Sequence, residues 1–198
     1  MTYVARRTAG RAGQPLILTF HGTGGNETQF HGLAEQLVPG AFVTSPRGDV
    51  SERGALRFFR RTGEGIYDMD DLARRTSAMA DFIRAEKTTT NPSKTIGLGY
   101  SNGANILAAV ALAHPELVDD LILMHPLIPW TPKAQPGLKA RRALITAGER
   151  DPICPAPMTQ ALADYLAAQG VRVTTHWHPG GHELAPSEME AIAQFVKG

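Results

Sequence analysis

The chain has 198 residues, a length that as a prior means one domain. Apolar residues make up 42% and charged residues 20%, which excludes wholesale disorder, and a formal charge of +1 excludes a strongly basic nucleic-acid binder. No apolar run approaches the roughly 18 residues of a membrane-spanning helix, the N-terminus has no apolar core of signal-peptide length, and the single Cys154 has no partner for an internal disulfide, so a cytoplasmic protein is the simplest expectation.

Residues 16–20 (LILTF) form a short apolar run without alternation, as expected of a strand buried on both faces. It leads into HGTGG at 21–25, a loop, after which Asn26 or Thr28 is placed to cap a helix running to about Leu37. Residues 41–44 predict a second strand, closed by Pro46. Residues 47–67 carry too many glycines for a helix and too many charges for a buried strand, and read as a long excursion of the kind that is usually functional. Asp68, Asp70 and Asp71 put negative charge where a helix would start, and Leu72, Met79, Phe82 and Ile83 then recur at helical spacing. Residues 88–93 (TTTNPS) read as a polar connection.

Further strands are predicted at 95–99, 121–124, 143–146 and 171–177. Helices are predicted from Ser101 to His114, over 158–168 and over 186–196, and a proline-rich loop follows the strand at 121–124. The alternation of strand and helix predicts a single α/β domain with a mostly parallel central sheet and helices on both faces. In such sheets ligands bind outside the carboxyl ends of the strands, which directs attention to the loops that follow them.

Gly99-Tyr100-Ser101-Asn102-Gly103 is a G-x-S-x-G between an apolar strand and a helix, the context in which that motif lifts a serine hydroxyl out of a tight turn. A serine needs an adjacent base, and of seven histidines His182, in PGGHEL after the last strand, is best placed. His21 is read as bracing the glycine loop, and His125 as a structural residue in a proline-rich turn. Asp151, in GERDP after the strand at 143–146, is the acid expected to orient His182, with Glu149 as the alternative. Asp119 and Asp120 precede a strand and belong to the opposite end of the sheet. The oxyanion of an ester intermediate needs backbone donors, expected from the N–H groups of Asn102 and of Thr23 in HGTGG. A competing pattern, His176-x-His178-x3-His182-Glu183, has metal-ligand spacing but leaves both glycine motifs unexplained.

Taken together, HGTGG, SPRG-x-V, RFFRR, the aspartates after GEGIY, G-Y-S-N-G-A-N, DP-I-C-P and GGH resemble the small serine esterases of the α/β-hydrolase superfamily. The resemblance covers nearly the whole chain. It is strongest to the bacterial phospholipase/carboxylesterase group, including hydrolases associated with hydroquinone resistance, and more distant to dienelactone hydrolases, which use a cysteine where this chain has Ser101. It implies Ser101, Asp151 and His182 as the catalytic residues, Thr23 and Asn102 as the oxyanion hole, and the 47–67 excursion as the segment that shapes the acyl pocket. Phe58 and Phe59, with Ile153, would then supply apolar wall. Members of the group often dimerise, so a homodimer is carried over as an option, although no exposed apolar stripe marks an interface.

The expected activity is that of a serine carboxylesterase on small or short-acyl esters, working without cofactor or metal, nucleic acid or membrane span. A thioesterase or lysophospholipase, and a ligand-binding protein on the same fold, are the alternatives. Arg53, Arg57, Arg60 and Arg61 could attract an anionic substrate group but are expected to pair with nearby acids instead.

Overall fold

The computed structural model describes residues 3–198. It begins with strands β1 (Ala5–Thr8) and β2 (Leu16–Phe20), helix α1 (His31–Leu37) and strand β3 (Phe42–Pro46). Four short strands follow, β4 (Val50–Glu52), β5 (Ala55–Arg57), β6 (Arg61–Gly63) and β7 (Ile66–Tyr67). Then come α2 (Met69–Thr90), β8 (Thr95–Tyr100), α3 (Asn102–Ala113), β9 (Asp120–Met124), β10 (Arg142–Gly148), α4 (Ala156–Ala168), β11 (Arg172–His178) and α5 (Pro186–Lys197).

Seven strands make one sheet in the order β1-β3-β2-β8-β9-β10-β11, parallel throughout except for the β1–β3 edge pair. The unalternating apolar runs are its central strands, as their burial on both faces requires: β2 and β9 are buried at every position, and β8 and β10 at all but one. Side chains alternate between two cores. Leu16, Leu18, Phe20, Leu121, Leu123 and Ile145 pack against α2, α3 and α4. Ile17, Ile96, Leu98, Ile122, Met124 and Leu144 pack against α1 and α5. Helix α3 is buried at ten of its twelve positions, and its Ala-rich sequence suits that close approach to the sheet. Among the described residues no helix is long and apolar enough to cross a membrane.

Three sequence expectations are corrected. The 47–67 excursion is two β-hairpins, β4–β5 and β6–β7; the first turns through Arg53 and Gly54, both at positive φ as a two-residue hairpin turn demands. Helix α1 starts at His31, because the Asn26 carboxamide instead accepts the Thr28 N–H and closes a local turn. Helix α2 extends through Thr88, Thr89 and Thr90, whose hydroxyls bond carbonyls four residues back, and it ends at a left-handed Asn91. Strand β1, with two adjacent arginines at a sheet edge, has no apolar signal to reveal it.

Candidate active site

The parallel registers bring Phe20, Tyr100, Met124 and Gly148 to the same end of the sheet, and the loops that leave them form the site. Ser101 stands between β8 and α3 at φ 52° and ψ −118°, a conformation that L-residues rarely adopt. Packing enforces it. A Cβ at Gly103 would lie 2.3 Å from the Phe20 carbonyl oxygen, and one at Gly99 would lie 2.6 Å from the Gly103 carbonyl oxygen. Only glycine allows that approach. The Ser101 N–H donates to the Met124 carbonyl at 2.8 Å, fixing the turn to the neighbouring strand.

His182 Nε2 lies 2.8 Å from Ser101 Oγ, and His182 Nδ1 lies 2.7 Å from Asp151 Oδ2. Asp151 is buried, and its Oδ1 accepts the backbone N–H groups of Ile153 and Cys154 at 2.8 and 2.9 Å. Burial pushes its carboxyl upward, but these donors and the two histidines on Oδ2 outweigh burial and hold it below the ordinary carboxylate range. The Tyr100 hydroxyl, pushed up to about 12 chiefly by burial and then by the Asp151 charge, stays protonated and donates to the His182 carbonyl at 2.6 Å. A hydroxyl in contact with an imidazole that is itself held by a buried carboxylate can lose its proton while attacking an electrophilic carbon.

A cavity of about 290 Å³ opens over Ser101, lined by Thr23, Arg57, Tyr67, Asn102, Ile153 and His182 among others. Thr23 belongs to the glycine loop, which is braced from several sides. Gly22 N–H donates to Gln29 Oε1, Gly24 N–H donates to the Leu56 carbonyl, and Arg57 Nη1 donates to Thr23 Oγ1 at 2.7 Å. His21 Nε2 accepts the Gly48 N–H, so its proton sits on Nδ1 beside the Gly22 carbonyl; burial pushes this ring below its ordinary value and keeps it neutral. Asn102 occupies the first position of α3, where its N–H has no carbonyl four residues back within the helix.

The structure brings Ser101, Asp151, His182, Thr23, Asn102 and Ile153 together, and leaves Phe58 and Phe59 out. Both phenylalanines are fully buried in the core. Phe58 packs on Phe20 and His21, and Phe59 packs on Tyr67. The wall on that side is instead Arg57, Arg61 and Tyr67, from the strands of the two hairpins. The arginines are largely paired: Arg61 with Glu52 and Glu64, and Arg60 with Asp68 and Asp71. Arg57 is buried on the wall, 3.4 Å from Glu52.

The residues with metal-ligand spacing do not converge. His176 meets Ser187, Glu183 folds back on the Gly181 N–H, and His182 meets Ser101. Two triples, His125–Asp151–His182 and His125–His178–Glu188, are close enough to hold an ion, but both are buried groups facing one another. Glu149, the alternative acid, is exposed. Cys154 is buried against the His125 carbonyl, and burial pushes its thiol up, away from a reactive thiolate.

Sequence reasoning missed His125, Glu188, Tyr67 and Asn105. Tyr67 and Asn105 share a hydrogen bond of 2.7 Å on the cavity wall. Asn105 also accepts the Leu127 N–H at 2.7 Å, and Tyr67 donates to the Leu127 carbonyl at 2.9 Å. The one available signal for Asn105 was a polar residue inside an otherwise apolar helix.

The sequence pattern of the dienelactone hydrolase family matches residues 2–191. The chain is 36% identical over 184 residues to MhqD of Bacillus subtilis, a protein named as a hydrolase, covering 92% of each chain. Among solved structures it is similar to Atu2452 of Agrobacterium tumefaciens, a protein of unknown function, at 55% identity and a TM-score of 0.94 over 98% of this chain and 96% of that one. It is also similar to a Bacillus cereus carboxylesterase, at 34% identity and a TM-score of 0.93 over 98% of this chain and 93% of that one. The motifs point first to small carboxylesterases and more distantly to dienelactone hydrolases; the family match and the carboxylesterase likeness place the chain in the company of both.

Proposed function

This chain belongs to the dienelactone hydrolase family, with the α/β-hydrolase fold, and from that premise we propose that it is a serine carboxylesterase of small or short-acyl esters. It is a hydrolase; the serine mechanism and the substrate are our reading. The observation that carries it is the unbroken hydrogen-bonded chain from Ser101 Oγ through His182 to the buried Asp151 at the floor of a cavity.

Ser101 attacks the ester carbonyl carbon as His182 Nε2 takes its proton, and Asp151 stabilises the imidazolium that forms. The N–H groups of Thr23 and Asn102 stabilise the oxyanion. Collapse of the tetrahedral intermediate breaks the ester C–O bond, and His182 hands its proton to the departing alcohol. Water, deprotonated by His182, then hydrolyses the acyl-enzyme. At about 290 Å³ the cavity lies at the small end of ligand sites, which supports short acyl groups. The presence of Arg57, Arg61 and Tyr67 along its wall supports a pocket-shaping role for residues 47–67.

The test is hydrolysis of p-nitrophenyl esters from acetate to decanoate, beside Ser101→Ala. We expect turnover that falls beyond butyrate and is lost in the variant. Rates that rise with chain length would transfer the assignment to a thioesterase or lysophospholipase. Turnover that survives Ser101→Ala would overturn the serine mechanism.

A further inference from the structure

His125 follows β9 and takes positive φ, 50°, which turns its ring into the space beneath the site. The ring is fully buried. Its Nδ1 lies 2.9 Å from Asp151 Oδ2, the oxygen that also meets His182, and its Nε2 lies 3.1 Å from Glu188 Oε1 at the start of α5. Glu188 is itself fully buried. Its Oε1 accepts the Thr146 hydroxyl at 2.6 Å, and its Oε2 accepts the Ala185 N–H at 2.6 Å. Neither His125 nor Glu188 belongs to the serine–histidine–aspartate chain.

The protonation pattern follows from donor and acceptor chemistry. An ionised carboxylate can only accept, and both ring nitrogens of His125 face one, so both must donate. His125 is therefore an imidazolium between two carboxylates. The opposed causes agree in sign. Burial pushes its ring down, but Glu188 and Asp151 outweigh burial and raise it, and both carboxylates are lowered. The remaining groups facing the ring are His178, His182 and Tyr100, and the Cys154 thiol donates to the His125 backbone carbonyl. His178 accepts the Gly180 N–H on Nδ1, and its Nε2 lies 3.4 Å from Glu188 Oε2 without a hydrogen bond.

We infer that His125 is a positioning residue of the esterase site, a buried imidazolium that clamps the Asp151 carboxylate to Glu188, so that the acid behind His182 is a three-residue unit rather than a lone aspartate. This rests on the proposed serine mechanism and deepens it. At rest, with His182 neutral, the cluster of Asp151, Glu188, His125 and His182 carries one net negative charge. It becomes neutral when His182 takes the Ser101 proton. The clamp fixes the orientation of Asp151 and places a positive charge beside His182.

Two measurements test this on the full chain. The first needs no substrate: nitrogen-15 NMR of histidine-labelled wild type, with the His125 ring assigned by its loss in His125→Asn. We expect both His125 nitrogens to carry protons at pH 7 and 8. A ring with a single proton there would overturn the inference whether or not the protein hydrolyses esters. The second is the pH profile of kcat/KM on p-nitrophenyl acetate. His125→Asn keeps a donor near the Nδ1 position but removes the charge. We expect its acid limb to move up by about one pH unit, because removal of a cation beside His182 favours its protonated form, with kcat down about tenfold and KM unchanged. Glu188→Gln removes a negative charge and should not move the limb upward. Equal loss of kcat in both variants with unmoved limbs would reduce the cluster to packing and overturn the inference. Should His125→Asn fail to fold, the His125 ring is assigned in wild type by its through-space contacts with the Tyr100 and His182 rings, and that spectrum decides. Failure of the esterase reading shows separately, as absent wild-type hydrolysis or activity retained by Ser101→Ala.

Discussion

The two halves of the site are built in opposite ways. The nucleophile half is five contiguous residues, 99–103, held by backbone against backbone: Gly103 lies against the Phe20 carbonyl and Ser101 is pinned to Met124. The acid half gathers His125, Asp151 and Glu188 from the ends of β9 and β10 and the start of α5, the first and the last 63 positions apart. Backbone-held chemistry needs special residues at fixed spacing and so leaves a motif. Chemistry held by converging side chains leaves none, because each residue alone is an ordinary His, Asp or Glu.

The largest effects should come from cutting each half at its centre. Ser101→Ala should lower kcat on p-nitrophenyl acetate by about 10⁴-fold or more, since the nucleophile itself is gone. Asp151→Asn should lower it by roughly 10³- to 10⁴-fold with a folded protein and little change in KM. The carboxamide removes the negative charge that stabilises the His182 imidazolium, and its single oxygen can serve either the two histidines or the Ile153 and Cys154 N–H groups, not both. An Asp151→Asn enzyme within tenfold of wild type would mean that the acid half does not act on His182.

The next contrast is in stability. Gly103→Ala drives a Cβ into the Phe20 carbonyl at 2.3 Å, a backbone atom that cannot swing away. We expect a loss of about 3 kcal/mol and a fall in Tm of roughly 6–12 °C. Phe58→Ala empties a fully buried site and should cost about 3–5 kcal/mol. In the acid half, Thr146→Val leaves Glu188 one donor short and should cost about 1–2 kcal/mol. A smaller loss in Gly103→Ala than in Thr146→Val, read by calorimetry, would reverse the view that the nucleophile half is the rigid one.

Legibility follows the same division. The central strands, the helices beneath them and the serine turn were readable because burial on both faces and close backbone contact both restrict residue type. The proximity of Asp151 and His182 was readable because both follow strands of a parallel sheet, which collects such loops at one end. The hairpins of residues 47–67 were hidden by short strands in a charged segment, and strand β1 by its edge position. Phe58 and Phe59 misled because paired aromatics suit a pocket wall and a core equally; the hairpin geometry that decides between them is not encoded in those two positions. His125 looked like a turn residue, and nothing in the sequence set Glu188 apart, until the fold faced them toward each other.

The acid half also sets a pH dependence of stability on both sides of neutrality. Asp151 and Glu188 are lowered, so their stabilisation is present above the ordinary carboxylate range and is lost as pH falls through their lowered values. His125 is raised, so its stabilisation is complete below its unfolded value near 6.5 and is lost as pH rises through its raised value. Wild-type Tm against pH should therefore fall on both sides of a plateau. In His125→Asn the alkaline fall should shrink, and an unchanged alkaline fall would assign it to other groups.

The smallest effect is expected at the cavity mouth, where the side chain of Ile153, unlike its N–H on Asp151, belongs to neither half's framework. It is 37% exposed and lines the cavity beside Cys154. Ile153→Ala should leave Tm nearly unchanged, within roughly 0.5 kcal/mol, because a surface side chain leaves no hole behind. Its contact should matter only to the part of an acyl chain that reaches the rim. The variant should match wild type on p-nitrophenyl acetate and show a KM a few-fold higher on butyrate, as removal of one apolar contact predicts. An equal change on acetate and butyrate would place Ile153 against the reacting carbonyl rather than the chain, and would shift the acyl pocket toward the Arg57 and Tyr67 wall.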